Sequence, residues 1–162
     1  MSAVRVALAT VDDTRALGAR LGGMLRAGDL VVLTGSLGAG KTTLTQGLGE
    51  ALGVRGAVTS PTFVIARVHP STVGGPALVH VDAYRLGGTL ELDDLDLDAS
   101  VEQSVTVVEW GHGLAEGLAD DRLEVVLAVD TDTEERTATV TGVGGRWAGG
   151  PDVLAPLGGE PC

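Results

Sequence analysis

The apolar positions of this 162-residue chain fall into patterns of two periods. Val4, Val6 and Leu8 alternate with Arg5 and Ala7, the spacing of a strand with one buried face. Leu17, Leu21, Met24 and Leu25 then recur at helical spacing behind Asp12 and Asp13, either of which can cap that helix, and Gly28-Asp29 ends it. Leu30-Val31-Val32-Leu33-Thr34 is a continuous apolar run rich in β-branched residues, which predicts a parallel strand buried on both faces. A helix follows from Thr42, with Leu44, Leu48, Ala51 and Leu52 on one face and Gly53 as its stop.

Further on, residues 64–68 read as a strand and the Gly/Pro stretch 70–76 as a hairpin-like loop. Residues 77–82 and 104–109 share one design, a buried-strand run that ends in a carboxylate: Asp82 in the first and Glu109 in the second. Between them, residues 91–98 are acidic and leucine-bearing, suited to one or two helical turns. Residues 123–129 and 136–143 predict two late strands joined by the charged turn 130–135. After 144 glycine and proline dominate and no period survives, so residues 145–162 are expected to form a poorly ordered tail.

The junction of the buried strand and its helix carries the chemistry. Gly35-Ser36-Leu37-Gly38-Ala39-Gly40-Lys41-Thr42 is a complete Gly-x-x-x-x-Gly-Lys-Thr phosphate-binding loop in the order strand, glycine loop, helix. Gly35, Gly38 and Gly40 let backbone N–H groups turn inward around phosphates, and the helix N-terminus adds the positive end of its dipole. Lys41, the only lysine of the chain, is placed to bridge the β- and γ-phosphates. Thr42 is placed to put its hydroxyl on Mg²⁺, and Thr43 lies near the α-phosphate. The expected fold is therefore an α/β, P-loop NTPase-like three-layer sandwich over residues 1–144, with a mainly parallel sheet and late antiparallel strands.

In open α/β sheets ligands bind beyond the carboxyl ends of the strands, where Asp82 and Glu109 both stand. Each can hold the ion through water or polarise an attacking water, since ATP hydrolysis needs little from a protein beyond positioning and charge neutralisation. His80, two residues before Asp82 on the same strand face, either orients that acid or packs beneath it. Ser60-Pro61-Thr62-Phe63 occupies the position at which P-loop proteins carry a switch that senses the γ-phosphate; its plainer reading is a loop entering a strand.

Composition narrows the function. The formal charge is −11 with no basic run, a surface that repels phosphate backbones, so autonomous binding to DNA or RNA is not expected and a protein partner is. There is no 18-residue apolar span and no basic segment followed by an apolar stretch at the N-terminus, and the single cysteine is Cys162, so the expected location is the cytoplasm, away from membranes. A regulatory GTPase reads guanine through Asn-Lys-x-Asp, which a chain with Lys41 alone does not contain. A small-molecule P-loop kinase remains as an alternative, although the central loops lack its arginine-rich lid. A module that binds ATP without hydrolysing it is another.

Taken together, Leu37-Gly38-Ala39-Gly40-Lys41-Thr42-Thr43, Ser60-Pro61-Thr62-Phe63, His80-Val81-Asp82-Ala83-Tyr84-Arg85 and Glu109-Trp110 resemble, in order and spacing, the TsaE (also called YjeE) family, ATPases of bacterial tRNA threonylcarbamoyladenosine synthesis. The likeness runs from about residue 12 to residue 143. It implies a domain that binds ATP and Mg²⁺, hydrolyses ATP slowly when alone, and joins TsaB and TsaD, the pair that transfers the threonylcarbamoyl group to adenosine 37 of tRNA. It implies a metal held by Thr42 and Glu109, with Asp82 nearest the hydrolytic water or in the outer shell of the metal. It also implies nucleotide contacts from Val11 and Arg136 in addition to Gly35, Leu37, Gly38, Ala39, Gly40, Lys41, Thr42 and Thr43. Trp110 closes the site, docks a partner or simply packs. Two departures stand out: Ser36 replaces the usual Asp after the first loop glycine, and Arg67-Val68-His69 stands where the family has a tyrosine.

Overall fold

The computed structural model describes residues 2–35, 39–54, 66–82, 103–109, 121–148 and 151–161. In chain order these form β1 (Ser2–Leu8), α1 (Val11–Met24), β2 (Leu30–Gly35), α2 (Lys41–Leu52), β3 (Ala66–His69), β4 (Ala77–Asp82), β5 (Ser104–Glu109), β6 (Arg122–Val129), β7 (Arg136–Val143) and β8 (Glu160–Pro161). The strands make one sheet in the order β3-β4-β5-β2-β6-β7-β1-β8. Its centre, β4-β5-β2-β6, is parallel throughout. Antiparallel strands flank it on both sides: β3 on one edge, and β7, β1 and β8 on the other. The antiparallel portion is therefore wider than the late strands alone, because β1 returns to pair with β7 and β3 hairpins onto β4 through the 70–76 loop.

The central strands are apolar at consecutive positions because both of their faces are covered. Val31, Leu33, Leu78, Val105 and Val107 join the main core with Leu17, Leu21, Leu44 and Leu48 of the two helices. Leu30, Val32, Val79, Val81 and Val108, at the alternate positions, are just as buried. The layer expected over that second face, the 91–98 segment, the 60–63 segment and Trp110 lie outside the described residues.

Both helices lie on the first face and touch through backbone. A Cβ on Gly18 of α1 would stand 2.0 Å from the Leu44 carbonyl oxygen, and one on Gly47 of α2 would stand 2.0 Å from that of Arg15. Small residues at these two positions permit the contact. The cap of α1 is Thr10 rather than Asp12 or Asp13: its Oγ1 accepts from the Asp13 N–H at 3.1 Å, while Asp13 Oδ2 accepts from the Thr10 N–H at 3.0 Å. This reciprocal pair satisfies two backbone donors that the first helical turn leaves open.

The segment expected to be a poorly ordered tail is structured. Gly145–Trp147 and Pro151–Leu157 form 3-10 turns, and β8 pairs with β1 through Val4↔Pro161 and Arg5↔Glu160. Trp147, Leu154 and Leu157 are sealed from solvent, each side chain contributing about 1.5–3 kcal/mol of apolar burial. Trp147 fits because Gly142 lacks a Cβ, which would stand 2.6 Å from that of the tryptophan. Arg146 stacks 4.1 Å from the Trp147 ring centre and donates to Asp29 and to the Met24 carbonyl. Three apolar anchors and one ion pair thus tie residues 145–148 and 151–161 to the rest of the fold.

Candidate functional site

The site is assembled at the carboxyl ends of β2 and β5. β2 runs into Gly35, where a Cβ would crowd the Leu127 carbonyl oxygen at 3.0 Å and Ala39 Cβ at 3.2 Å, so a side chain there would push on β6 and on the loop. Gly40 is the N-cap of α2 in a left-handed conformation, φ +111°, and has no side chain to occupy the helix end. The first turn of α2 carries Lys41, Thr42 and Thr43 and no acid, so the partial positive charge of its N-terminus is left for a ligand.

Lys41 is buried, and its ammonium donates to the Gly35 carbonyl at 2.7 Å, which spans the loop from its first glycine to its last turn. Thr42 and Thr43 are half-buried behind it. Thr45, one turn on, uses its hydroxyl on the Lys41 carbonyl at 2.8 Å. Ala39 is buried in the core beneath the loop, while Leu37 and Gly38 lie outside the described residues.

Glu109 ends β5 in register with Leu33, two residues before Gly35, and on its other side with Asp82 of β4. The two acids expected at the mouth of the sheet are therefore paired across neighbouring strands; of Asp82 only the backbone is described. The Glu109 side chain is 4% exposed, its Oε2 lies 3.5 Å from His80 Nε2, and its Oε1 has no hydrogen-bond partner. His80 is fully buried, with neither ring nitrogen hydrogen-bonded. It faces Glu109 rather than merely packing beneath Asp82, a placement that depends on the register of β4 against β5.

Val11 opens α1 and is exposed. One turn later, the Thr14 methyl lies 3.3 Å from where a Cβ of Gly40 would stand, so the start of α1 is seated on the glycine loop. Arg136 begins β7, opposite Leu8 of β1 and Val129 of β6, which brings it to the strand end that leads into α1. Thr14 escaped the sequence reading: it is 1% exposed and its Oγ1 has no partner, yet only its place among the helical positions of α1 could have marked it. A separate cavity of about 460 Å³ lies between β1, α1, β7 and the tail, lined in part by Arg5, Arg20 and Glu160. Arg20 already donates to the Leu157 carbonyl at 3.1 Å, and this cavity shares no residue with the loop.

Among the described residues no cluster of three or more His, Cys, Asp or Glu could hold a metal on its own, and no helix is long and apolar enough to cross a membrane. What the geometry defines is a mixed α/β domain whose central parallel strands carry a glycine loop and a buried carboxylate side by side at one end. A family model described as "Threonylcarbamoyl adenosine biosynthesis protein TsaE" matches residues 8–138. A Streptomyces coelicolor protein named tRNA threonylcarbamoyladenosine biosynthesis protein TsaE is 68% identical over 83% of this chain and 93% of its own length. One of the same name from Mycobacterium bovis is 53% identical over 82% and 83%. The crystal structure of Bacillus subtilis YdiB is similar with a TM-score of 0.77 and 32% identity, over 98% of this chain and 96% of that one. The chain belongs to the TsaE family.

Proposed function

We propose that this chain is the Mg²⁺-dependent, ATP-binding and ATP-hydrolysing subunit of the bacterial complex that makes N6-threonylcarbamoyladenosine at position 37 of tRNA, with TsaB and TsaD as its partners. The observation that carries the reading is the pairing of Glu109 with the glycine loop: a buried carboxylate with one oxygen lacking a partner ends the strand next to the one that enters Gly35. Buried acceptors are satisfied in almost every native site, so such an oxygen points to a missing ligand. Mg²⁺ suits it, because this ion binds through one or two carboxylates and takes the rest of its shell from water and phosphate oxygens.

In this reading the domain is of the P-loop NTPase type. The backbone of residues 35–43 holds the phosphates and the Lys41 ammonium exchanges the Gly35 carbonyl for their oxygens. Thr42 and Glu109 hold the metal, which when bound neutralises phosphate charge, and Asp82 orients the hydrolytic water. Val11 and Arg136 supply nucleotide contacts outside the loop. Charge on the equatorial oxygens of the in-line transfer would be met by these groups, as phosphoryl transfer requires.

The net charge of −11 argues that tRNA is reached through partners rather than by this chain. The experiment is phosphate release from ATP by the purified chain, alone and with TsaB, TsaD and tRNA, beside a pull-down with ATP present and absent. Slow hydrolysis alone, faster hydrolysis in the assembly and nucleotide-dependent association are expected. Tight tRNA binding by the isolated chain at physiological salt, or partner binding that ignores the nucleotide, contradicts the reading.

A further inference from the structure

We propose that His80 is a positioning residue for Glu109: its Nε2–H donates to Oε2, fixes the carboxylate rotamer, and thereby reserves Oε1 for the metal. This rests on the reading of Glu109 given above. The two residues are diagonal neighbours, since His80 stands opposite Val107 and Glu109 opposite Asp82 on adjacent parallel strands. Their polar atoms approach to 3.5 Å at 0% and 4% side-chain exposure, within ion-pair range and just beyond a hydrogen bond. Such contacts in ligand-free sites commonly tighten when the ligand arrives.

The surroundings argue against a packing role. His80 lies on the core side of β4, where Leu78 and the neighbouring Val107 belong to the main apolar core. A leucine would fill that volume without placing two ring nitrogens where neither is hydrogen-bonded. Each buried polar group left without a partner costs about 1–3 kcal/mol. The imidazole is near enough to orient Oε2, and a hydrogen-bonding partner behind a metal-binding carboxylate fixes its orientation and tunes the metal.

The test compares His80→Leu, which removes the donor, with His80→Gln, which keeps an N–H at similar reach. The Mg²⁺ concentration for half-maximal binding of a non-hydrolysable ATP analogue is read by calorimetry, together with the thermal midpoint. His80→Leu is expected to raise that concentration at least about tenfold without lowering the midpoint, and His80→Gln to bring it back to within about threefold of the natural protein. An unchanged Mg²⁺ dependence in His80→Leu, or equal values for the two variants, overturns the proposal.

A second measurement needs no variant. Nitrogen NMR of the natural protein should show His80 protonated at Nε2, with that resonance shifting when Mg²⁺ and the analogue are added together. Protonation at Nδ1 alone overturns the proposal. Glu109→Gln separates the two claims: if its Mg²⁺ dependence is unchanged, the metal role of Glu109 falls and this inference with it. If Glu109→Gln is impaired and His80→Leu is not, only the inference falls.

Discussion

Two buried carboxylates stand at opposite ends of the central strands, and they are treated differently. Asp29, at the amino end of β2, is 6% exposed, and its oxygens accept from the Arg26 N–H at 2.8 Å and from Arg146 Nε and Nη2 at 3.3 Å each. Glu109, at the carboxyl end of β5, is 3% exposed, with a histidine at 3.5 Å and one oxygen without a partner. Burial is the same for both; satisfaction is not. A carboxylate whose bonds are made within the chain joins parts of the fold, whereas one left incomplete keeps an oxygen available to a partner from outside it. This agrees with the rule that open α/β sheets take ligands at the carboxyl ends of their strands.

The comparison breaks first at Arg146. Arg146→Met leaves Asp29 buried with no cation, and a loss of about 3 kcal/mol in urea unfolding is expected, with ATP affinity within twofold of the natural protein. A fall in ATP affinity without a fall in stability would reverse the assignment of the two ends. Lys41→Ala acts on the other end: calorimetry should show ATP binding at least about 100-fold weaker, equivalent to about 2.7 kcal/mol. Near-natural affinity would remove the glycine loop from the site.

Glu109→Gln sharpens the contrast further. Replacing an incompletely bonded charge with a neutral amide should change unfolding free energy by no more than about 1 kcal/mol while phosphate release is lost. A loss of several kcal/mol would make Glu109 a second Asp29. Arg15→Ala gives the baseline. Arg15 pairs with Glu50 across the two helices at 41% and 62% side-chain exposure, and its removal should cost less than about 0.5 kcal/mol by the same unfolding measurement.

The carboxyl end of the sheet was legible in the sequence because local signals suffice there. A doubly buried parallel strand reads as a near-continuous apolar run, as β2 does without a break and β4 and β5 do with one polar residue each, His80 and Thr106; the glycine loop has its own motif between strand and helix. The amino end and the tail were not legible. Trp147, Leu154 and Leu157 follow no period among their glycines and prolines; Trp147 seats on Gly142 only five residues back, but α1 and β1, which receive the 151–157 turn, are distant in sequence. The partner of His80 was hidden for a related reason: neighbours along one strand can be read from the chain, but a diagonal neighbour depends on which strand lies beside it and in what register.

The glycine seam between α1 and α2 has a mechanical consequence. Helices separated by interdigitating side chains can slide by small rotamer changes, which is how packed domains shear. Here carbonyls would meet an added Cβ at 2.0 Å from either direction, so no side-chain layer lies between Gly18 and Leu44 or between Gly47 and Arg15 to take up such a slip. The helix that starts at the glycine loop and the helix that starts at Val11 therefore translate as one body. A displacement of α2 at Lys41 is passed to α1 at Val11, and in the proposed function the residues offered to the nucleotide at those two helix starts would move together.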